Sequence, residues 1–272
     1  MASGEDAKRL TPTGSLGVPW NHIFKTPEGV TIGFESEECL MRDEAVTKIF
    51  ETASGEGRDF LFEHEAKELC ALYGLPVTRI KVAETEEKAV EAAKEIGFPV
   101  VLKIVSPQVL HKSDAGGVLV DIKDAEGVKK GYHEILENVK SKVPGAEITG
   151  ILVQEMAPWG TEVIVGSTKD PTFGPTIMFG LGGIFVEVLK DVSFRLAPIT
   201  RTDAEEMVRE IKAYKILEGV RGKPPVDQEA IVDILLKTSK MLMECPEIKE
   251  LDMNPVLVYE KDAKIVDARV IL

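Results

Sequence analysis

The spacing of hydrophobic positions changes several times along the chain, and each change marks an element. Over 42–53, "RDEAVTKIFETA" has helical spacing and stops at "SGEGR". "FLFEHEAKELCALYG" (60–74) predicts a second helix, with Phe62, Ala66, Leu69 and Leu72 on its core side. Leu61, Glu65, Leu69 and Tyr73 form a neighbouring stripe, and Gly74 with Pro76 ends the helix. A short strand is expected near 77–83. Thr85 then caps an acidic first turn, and "EEKAVEAAKEIG" (86–97) is a helix closed by Gly97. "PVVLKIV" (99–105) and "VLVDI" (118–122) are strands, and a helix covers roughly 125–140.

The second half opens on a strong strand, "ITGILVQEM" (148–156). "TEVIVGSTKD" (161–170) and "PTIMFGLGG" (175–183) read as neighbouring antiparallel strands, with turns at Pro158–Gly160 and Pro171–Gly174. "SFRLAPI" (193–199) adds another. Thr202 and Glu205 have the spacing of a capping box ahead of a helix at 203–213. A longer helix runs from 228 to 245. Two final strands, "IKELDMNPVLVYE" and "AKIVDARVI", are joined by an expected tight turn at Lys261–Asp262. This order of helices and strands, without strict βαβ alternation, favours a two-lobed α+β or α/β fold. Residues 1 to about 41, rich in Gly, Pro and Thr, show no period and read as an extension that partly packs on the body.

Composition narrows the class. At 272 residues the chain holds one large or two smaller domains. No window approaches the ~20 consecutive apolar residues of a membrane span. The charged start, "MASGEDAKRL", lacks the apolar region of a signal peptide, so a cytoplasmic protein is expected. Cys39, Cys70 and Cys245 are far apart and odd in number, which argues against a disulfide framework or a zinc site. A net charge of −13 repels nucleic acid and anionic membranes and leaves room only for a local basic pocket. The abundant Lys and Glu would suit a thermophile.

Several constellations can carry chemistry. Asp252 and Asn254 lie two apart on a strand and point to one face. With a two-residue turn at 261–262, Asp267 falls opposite Val256 and diagonal to Asn254, about 7–8 Å away. Amide and carboxylate oxygens at that separation suit Mg²⁺ shared with nucleotide phosphates. An edge hairpin showing polar residues to water reads equally from the spacing. Lys103, inside an apolar strand, must snorkel or meet an anion such as a phosphate. The glycine pairs of "AGG" (115–117) and "LGG" (181–183), the latter Gly182 and Gly183, offer backbone N–H groups to phosphate, or simply make turns. Walker A and G-x-G-x-x-G patterns are both lacking. Gln154, Glu155 and Met156, with Glu162 beyond, offer adenine-edge and ribose contacts at a hinge, or form only a polar strand end. Of His22, His64, His111 and His133, only His111 lies in a glycine-flanked loop. An imidazole there is a candidate nucleophile; the alternative is a plain turn histidine. His64 and His133 are read as structural.

Taken together, "FEHEAKELCALYGLPV", "PVVLKIVSPQVLHKSDAGGV", "EVIVGSTKDPTFGPTIMFGLGGIFVEVLKDVSFRLAPIT" and "ELDMNPVLVYEKDAKIVDARVIL" closely resemble the ATP-grasp (β) subunit of ADP-forming acyl-CoA synthetases. These are archaeal-type enzymes of energy metabolism and relatives of succinyl-CoA synthetase β. The resemblance covers about 44–272. It implies an ATP-grasp fold with the nucleotide between two lobes, 42–147 (with a phosphohistidine loop at 106–117) and 148–272. It further implies Lys103 at the phosphates, Gln154–Met156 at the adenine, Glu162 near the ribose, and Asn254 and Asp267 on Mg²⁺. Asp252 would position His111, which matches the family's second phosphohistidine. The implied reaction is acyl-CoA + ADP + phosphate ⇌ acid + CoA + ATP. A CoA-binding α subunit would complete the enzyme, as in an α2β2 assembly. The twelve-residue loop has a contour of about 40 Å, which with both ends pinned lets its tip travel about 20 Å. Two other readings stay open: an ATP-grasp carboxylate ligase without a phosphohistidine, and a nucleotide-binding regulatory subunit without catalysis.

Overall fold

Strand alternation sorts the chain into two antiparallel sheets. The computed structural model describes residues 44–272 apart from 110, 184–189, 221 and 223. The expectations for residues 1–41, with His22 and Cys39, lie outside the described residues.

The smaller sheet has four strands in the order β2 (Ile80–Ala83), β5 (Gly150–Glu155), β3 (Val100–Val105), β4 (Val118–Ile122). On one face Val100, Leu102, Ile104, Ile151 and Val153 meet Ala89, Ala93 and Ile96 of α3 (Glu86–Ile96) and Val128, Ile135 and Val139 of α4 (Ala125–Lys142) in a closed apolar core. Thr85 caps α3 by accepting from Lys88 N, and Asp124 caps α4 by accepting from Gly127 N. Period-two alternation turns Lys103 and Gln154 to the sheet's other face, away from that core.

The larger sheet runs β1 (Phe60–Leu61), β11 (Ala268–Ile271), β9 (Glu250–Val258), β6 (Thr161–Asp170), β7 (Gly174–Leu181), β8 (Val192–Leu196), with β10 (Ala263–Ile265) also on β9. One face is covered by α1 (Glu44–Gly55), α2 (Glu63–Leu72), α5 (Arg201–Glu210) and α6 (Gln228–Glu244), which bury Phe50, Leu69, Met207 and Leu235 against Val165, Phe179 and Met253. The other face carries Asp252, Asn254 and Arg269. Cys70 and Cys245 are buried in this core, and burial pushes Cys70 up to about 12. Among the described residues no helix is long and apolar enough to cross a membrane.

Four expectations change. Phe60 and Leu61 are not helical: they pair with Ile271 and Val270, and α2 starts at Glu63 with Leu72 outside the core, 41% exposed. The capping box is Thr200–Asp203, not Thr202–Glu205; Thr200 Oγ1 accepts from Asp203 N at 3.2 Å, and Thr200 N donates to Asp203 Oδ2 at 2.8 Å. Both frames fit the pattern, and the upstream one buries Ala204, Met207 and Val208. The lobes do not divide at 147/148. β5 is a central strand of the smaller sheet, and α1, β1 and α2 bury their apolar faces in the larger core. Lastly, the C-terminal turn spans 259–262, so paired residues sum to 521 rather than 523: Ala263 faces Val258, and Arg269 faces Asp252.

Candidate functional site

That two-residue slip keeps every side chain on its expected face. It moves Asp267 from the diagonal of Asn254 to the place directly across, where Asn254 N donates to Asp267 O at 3.2 Å. Directly opposed side chains on an antiparallel pair have Cβ atoms about 4.5–5.5 Å apart, closer than the diagonal reading implied. Asp252 is on the same face, one alternation along. Burial, then the neighbouring Asp267, pushes the Asp252 carboxyl above its ordinary value, with Arg269 opposing.

These residues form one wall of a cleft of about 630 Å³. Lys103 of β3 and His111 with its neighbours line the same cleft. The structure thus brings His111, Lys103, Asp252, Asn254 and Asp267 together from segments up to 164 residues apart in sequence. His111 is exposed to the cleft and makes no side-chain hydrogen bond among the described residues.

The loop bearing His111 is better held than its composition suggests. Val109 and Ala115 are buried in the smaller core on either side of it. Gly117 N donates to Lys112 O at 2.7 Å, Ala115 N to His111 O at 3.2 Å, and Asn138 Nδ2 to Gly116 O at 3.2 Å. Gly117 is required by close approach: a Cβ there would lie 2.5 Å from Ile104 Cγ2.

At the base of the cleft lies a charge cluster that sequence reading did not single out. Glu63, in the first turn of α2, is buried and meets three lysines. Its Oε1 accepts from Lys103 Nζ at 2.6 Å and lies 3.0 Å from Lys67 Nζ; its Oε2 accepts from Lys112 Nζ at 2.6 Å. Burial alone would raise the Glu63 carboxyl, but Lys103, Lys67 and Lys112 outweigh it and hold it well below the carboxylate range. Lys103 also lies 3.5 Å from Asp267 Oδ2. Burial works against its charge, yet Glu63 and Asp267 together raise it above the ordinary lysine value. Lys67 is wholly buried, and burial lowers it to about 8 against the pull of Glu63. The two lysines differ because Lys103 faces a second carboxylate at close range, whereas Lys67 donates to three neutral oxygens: Thr78 Oγ1 at 2.9 Å, Gln154 Oε1 at 2.6 Å and Val266 O at 2.6 Å. The signal available in the sequence was the Glu63–Lys67 spacing of four on a helix, which resembles an ordinary surface pair.

The remaining predicted residues do not line this cleft. Gln154 is buried with its side-chain oxygen on Lys67, and so ties β5 to α2. Glu155 is buried and paired with Arg79 and Lys264. Both side chains are thus engaged by lysine or arginine partners. Met156 N donates to Pro99 O at 3.2 Å, and Gly182 N to Glu162 O at 2.8 Å. Gly182 packs so closely that a Cβ would lie 2.8 Å from Glu162 Cβ, while Gly183 is exposed.

Among the described residues no cluster of three or more His, Cys, Asp or Glu could cage a metal ion. Asn254 and Asp267 offer two hard oxygens on one face, which suits Mg²⁺ that keeps waters and shares phosphate oxygens rather than a resident metal.

Residues 52–272 match the model of an ATP-grasp domain. The chain is 56% identical to the acetate–CoA ligase (ADP-forming) I subunit beta of Pyrococcus furiosus, over 83% of this chain and 97% of that one. Acetyl-coenzyme A synthetase 1 of Ca. Korarchaeum cryptofilum, solved with coenzyme A, Ca-AMPCP and HgCl+, superposes with a TM-score of 0.81 at 58% identity, covering 83% of this chain and 98% of that chain. A further structure of that enzyme, with coenzyme A and Mg-AMPPCP and its phosphohistidine segment pointing towards the nucleotide binding site, gives a TM-score of 0.75 at 52% identity, covering 84% and 99%. The chain belongs to the ATP-grasp family and, within it, to the β subunits of ADP-forming acetate–CoA ligases.

Proposed function

We propose that this chain passes a phosphoryl group between His111 and a nucleotide in the cleft, as the nucleotide-binding subunit of an enzyme catalysing acyl-CoA + ADP + phosphate ⇌ acid + CoA + ATP. The observation that carries the reading is His111, whose side chain has no hydrogen-bond partner among the described residues and which lines one cleft with Asp252, Asn254 and Asp267. In the ATP-forming direction a β-phosphate oxygen of ADP attacks the phosphorus held on the imidazole. The P–N bond breaks, its electron pair returns to the ring nitrogen, and the new P–O bond completes ATP. In reverse the ring nitrogen attacks the γ-phosphorus and ADP leaves.

Each residue then has a task set by its chemistry. Lys103 carries a positive charge beside Asp267 and draws the transferred phosphoryl group toward that wall. Asn254 and Asp267 would hold Mg²⁺, which supplies neutralisation of phosphate charge when bound. Asp252 would accept from the imidazole and orient it once the ring comes within reach. The segment at Met156 and Glu162, with Gly182 and Gly183, would contact base, ribose and phosphates; Gln154 and Glu155 brace that segment from behind. Transfer of this kind depends on in-line placement more than on covalent work by other side chains. Activation of the carboxylic acid would fall to a CoA-binding α subunit, in an assembly such as α2β2, working in the cytoplasm.

Incubation with [γ-³²P]ATP and Mg²⁺ tests the reading. Acid-labile, base-stable label on His111, lost in His111→Ala, is the expected result. Full turnover without label identifies the carboxylate ligase alternative. Nucleotide binding with neither label nor turnover in the presence of the α subunit identifies the regulatory one.

A further inference from the structure

A flexible carrier must stop in a defined place before in-line transfer can occur, and the loop itself shows how. On either side of His111 the chain is pinned to the smaller lobe, by Val109 and Ala115 in the apolar core and by Asn138 and Lys142, which donate to Gly116 O and Asp114 O at 3.2 and 3.0 Å. None of these contacts reaches the α2 wall of the cleft. Lys112, the next residue after His111, does: its Nζ donates to Glu63 Oε2 at 2.6 Å.

Glu63 is suited to be a fixed post. It lies in the first turn of α2, whose start is held by Glu65: that carboxylate accepts from Phe62 N and from both Arg58 terminal nitrogens, each at 2.7 Å. Its other oxygen is fixed by Lys103 and Lys67 on the interior side. Of the three lysines, Lys67 is fully buried and Lys103 nearly so; only Lys112 is partly open to the cleft. Two cations therefore stay with the post, and the third travels with the loop.

We infer that the Lys112–Glu63 ion pair is the latch that seats the His111 loop in the nucleotide cleft, and that both are positioning residues for the transfer. The inference rests on the phosphoryl-carrier reading above. It follows that the pair must open when the loop leaves. A phosphate on the departing imidazole competes with Glu63 for the neighbouring ammonium, which loosens the latch after loading.

Because Glu63 neutralises buried lysines, Glu63→Gln threatens the fold, and the decisive variants are Lys112→Met and Lys112→Arg. Two readouts apply to the full chain. The first is the single-turnover rate of ³²P transfer from ATP to His111. The second is the distance distribution between spin labels at Ser113→Cys and Glu68→Cys in a Cys39→Ala background, the two described native thiols being buried. Lys112→Met is expected to slow labelling about tenfold or more, as loss of placement does. The ATP concentration at half-maximal rate should stay within about twofold, since uniform binding is untouched. The label distances should broaden, and Lys112→Arg should restore both readouts. Wild-type labelling rate together with an unchanged distribution in Lys112→Met would overturn the latch. Absence of ³²P on His111 in the wild type would instead overturn the carrier reading, while the spin-label comparison would still report on the ion pair.

Discussion

Asp267 sits directly across the C-terminal ladder from Asn254, joined to it by a backbone hydrogen bond of 3.2 Å. The pair is rigid because β9 is flanked by β6 on one side and by β10 and β11 on the other. Two oxygen donors held this way have little freedom to rearrange around a cation. Asp267→Asn and Asn254→Ala should therefore leave the fold intact and lower phosphoryl transfer by about 10²-fold, the cost of losing one preorganised electrostatic contact. Calorimetric titration should show Mg²⁺ no longer tightening ADP binding, while metal-free ADP binds as before. Undiminished Mg²⁺ enhancement in both variants would move the metal site elsewhere.

Lys67 makes a prediction about pH. Its value falls from 10.5 in the unfolded chain to about 8 in the fold, mainly through burial. Between those two values the unfolded chain binds the proton that the folded chain has released, so Lys67 makes stability rise with pH across that window. Below about pH 8 both states are charged and the slope vanishes. Lys67→Met should cost about 3 kcal/mol at pH 7, because Gln154, Thr78 and Val266 lose their donor in a buried site. The gap between wild type and variant should then widen from pH 8 to 10.5 by up to a few kcal/mol. Denaturant unfolding of the two proteins at matched pH measures that difference and cancels the shared alkaline titration of Cys70. A gap that stays constant would mean that Lys67 is not held as a buried cation.

How far the sequence reveals this architecture depends on what kind of contact fixes each element. Strands β4 and β6, and the capped start of α3, follow from local pattern and lie where the pattern puts them. Phe60 and Leu61 look helical because their apolar spacing continues into α2, but pairing with β11, some 210 residues away, claims them. The C-terminal register could be read only to within a turn length, and a slip of two preserves the face; the identity of the oxygen pair is therefore legible while its geometry is not. The lobe boundary was hidden for a different reason. β5 has an all-buried pattern, which says that it is central without saying in which sheet. Glu63 was missed because its three lysines come from α2, β3 and the His111 loop, and only the nearest is visible as a spacing.

Gly117 offers a test of how tightly the loop's exit is fitted. An added methyl would meet Ile104 Cγ2 at 2.5 Å and Lys112 O at 3.1 Å. Ile104 is wholly buried in the smaller core and cannot swing aside, and Gly117 N itself bonds to Lys112 O at 2.7 Å. The loop must give instead, carrying Lys112 away from Glu63. Gly117→Ala should cost about 1–3 kcal/mol from overpacking, and should slow transfer to His111 by more than the loss of stability explains. Gly55→Ala is the control: at the end of α1 its added Cβ meets nothing within 4 Å. That variant should match the wild type in melting temperature to within a few degrees and in labelling rate to within about twofold, since surface substitutions usually stay within about 0.5 kcal/mol. Thermal melts and single-turnover labelling of both variants decide it, and a Gly117→Ala protein that melts and transfers like the wild type would show that the loop is not braced against Ile104.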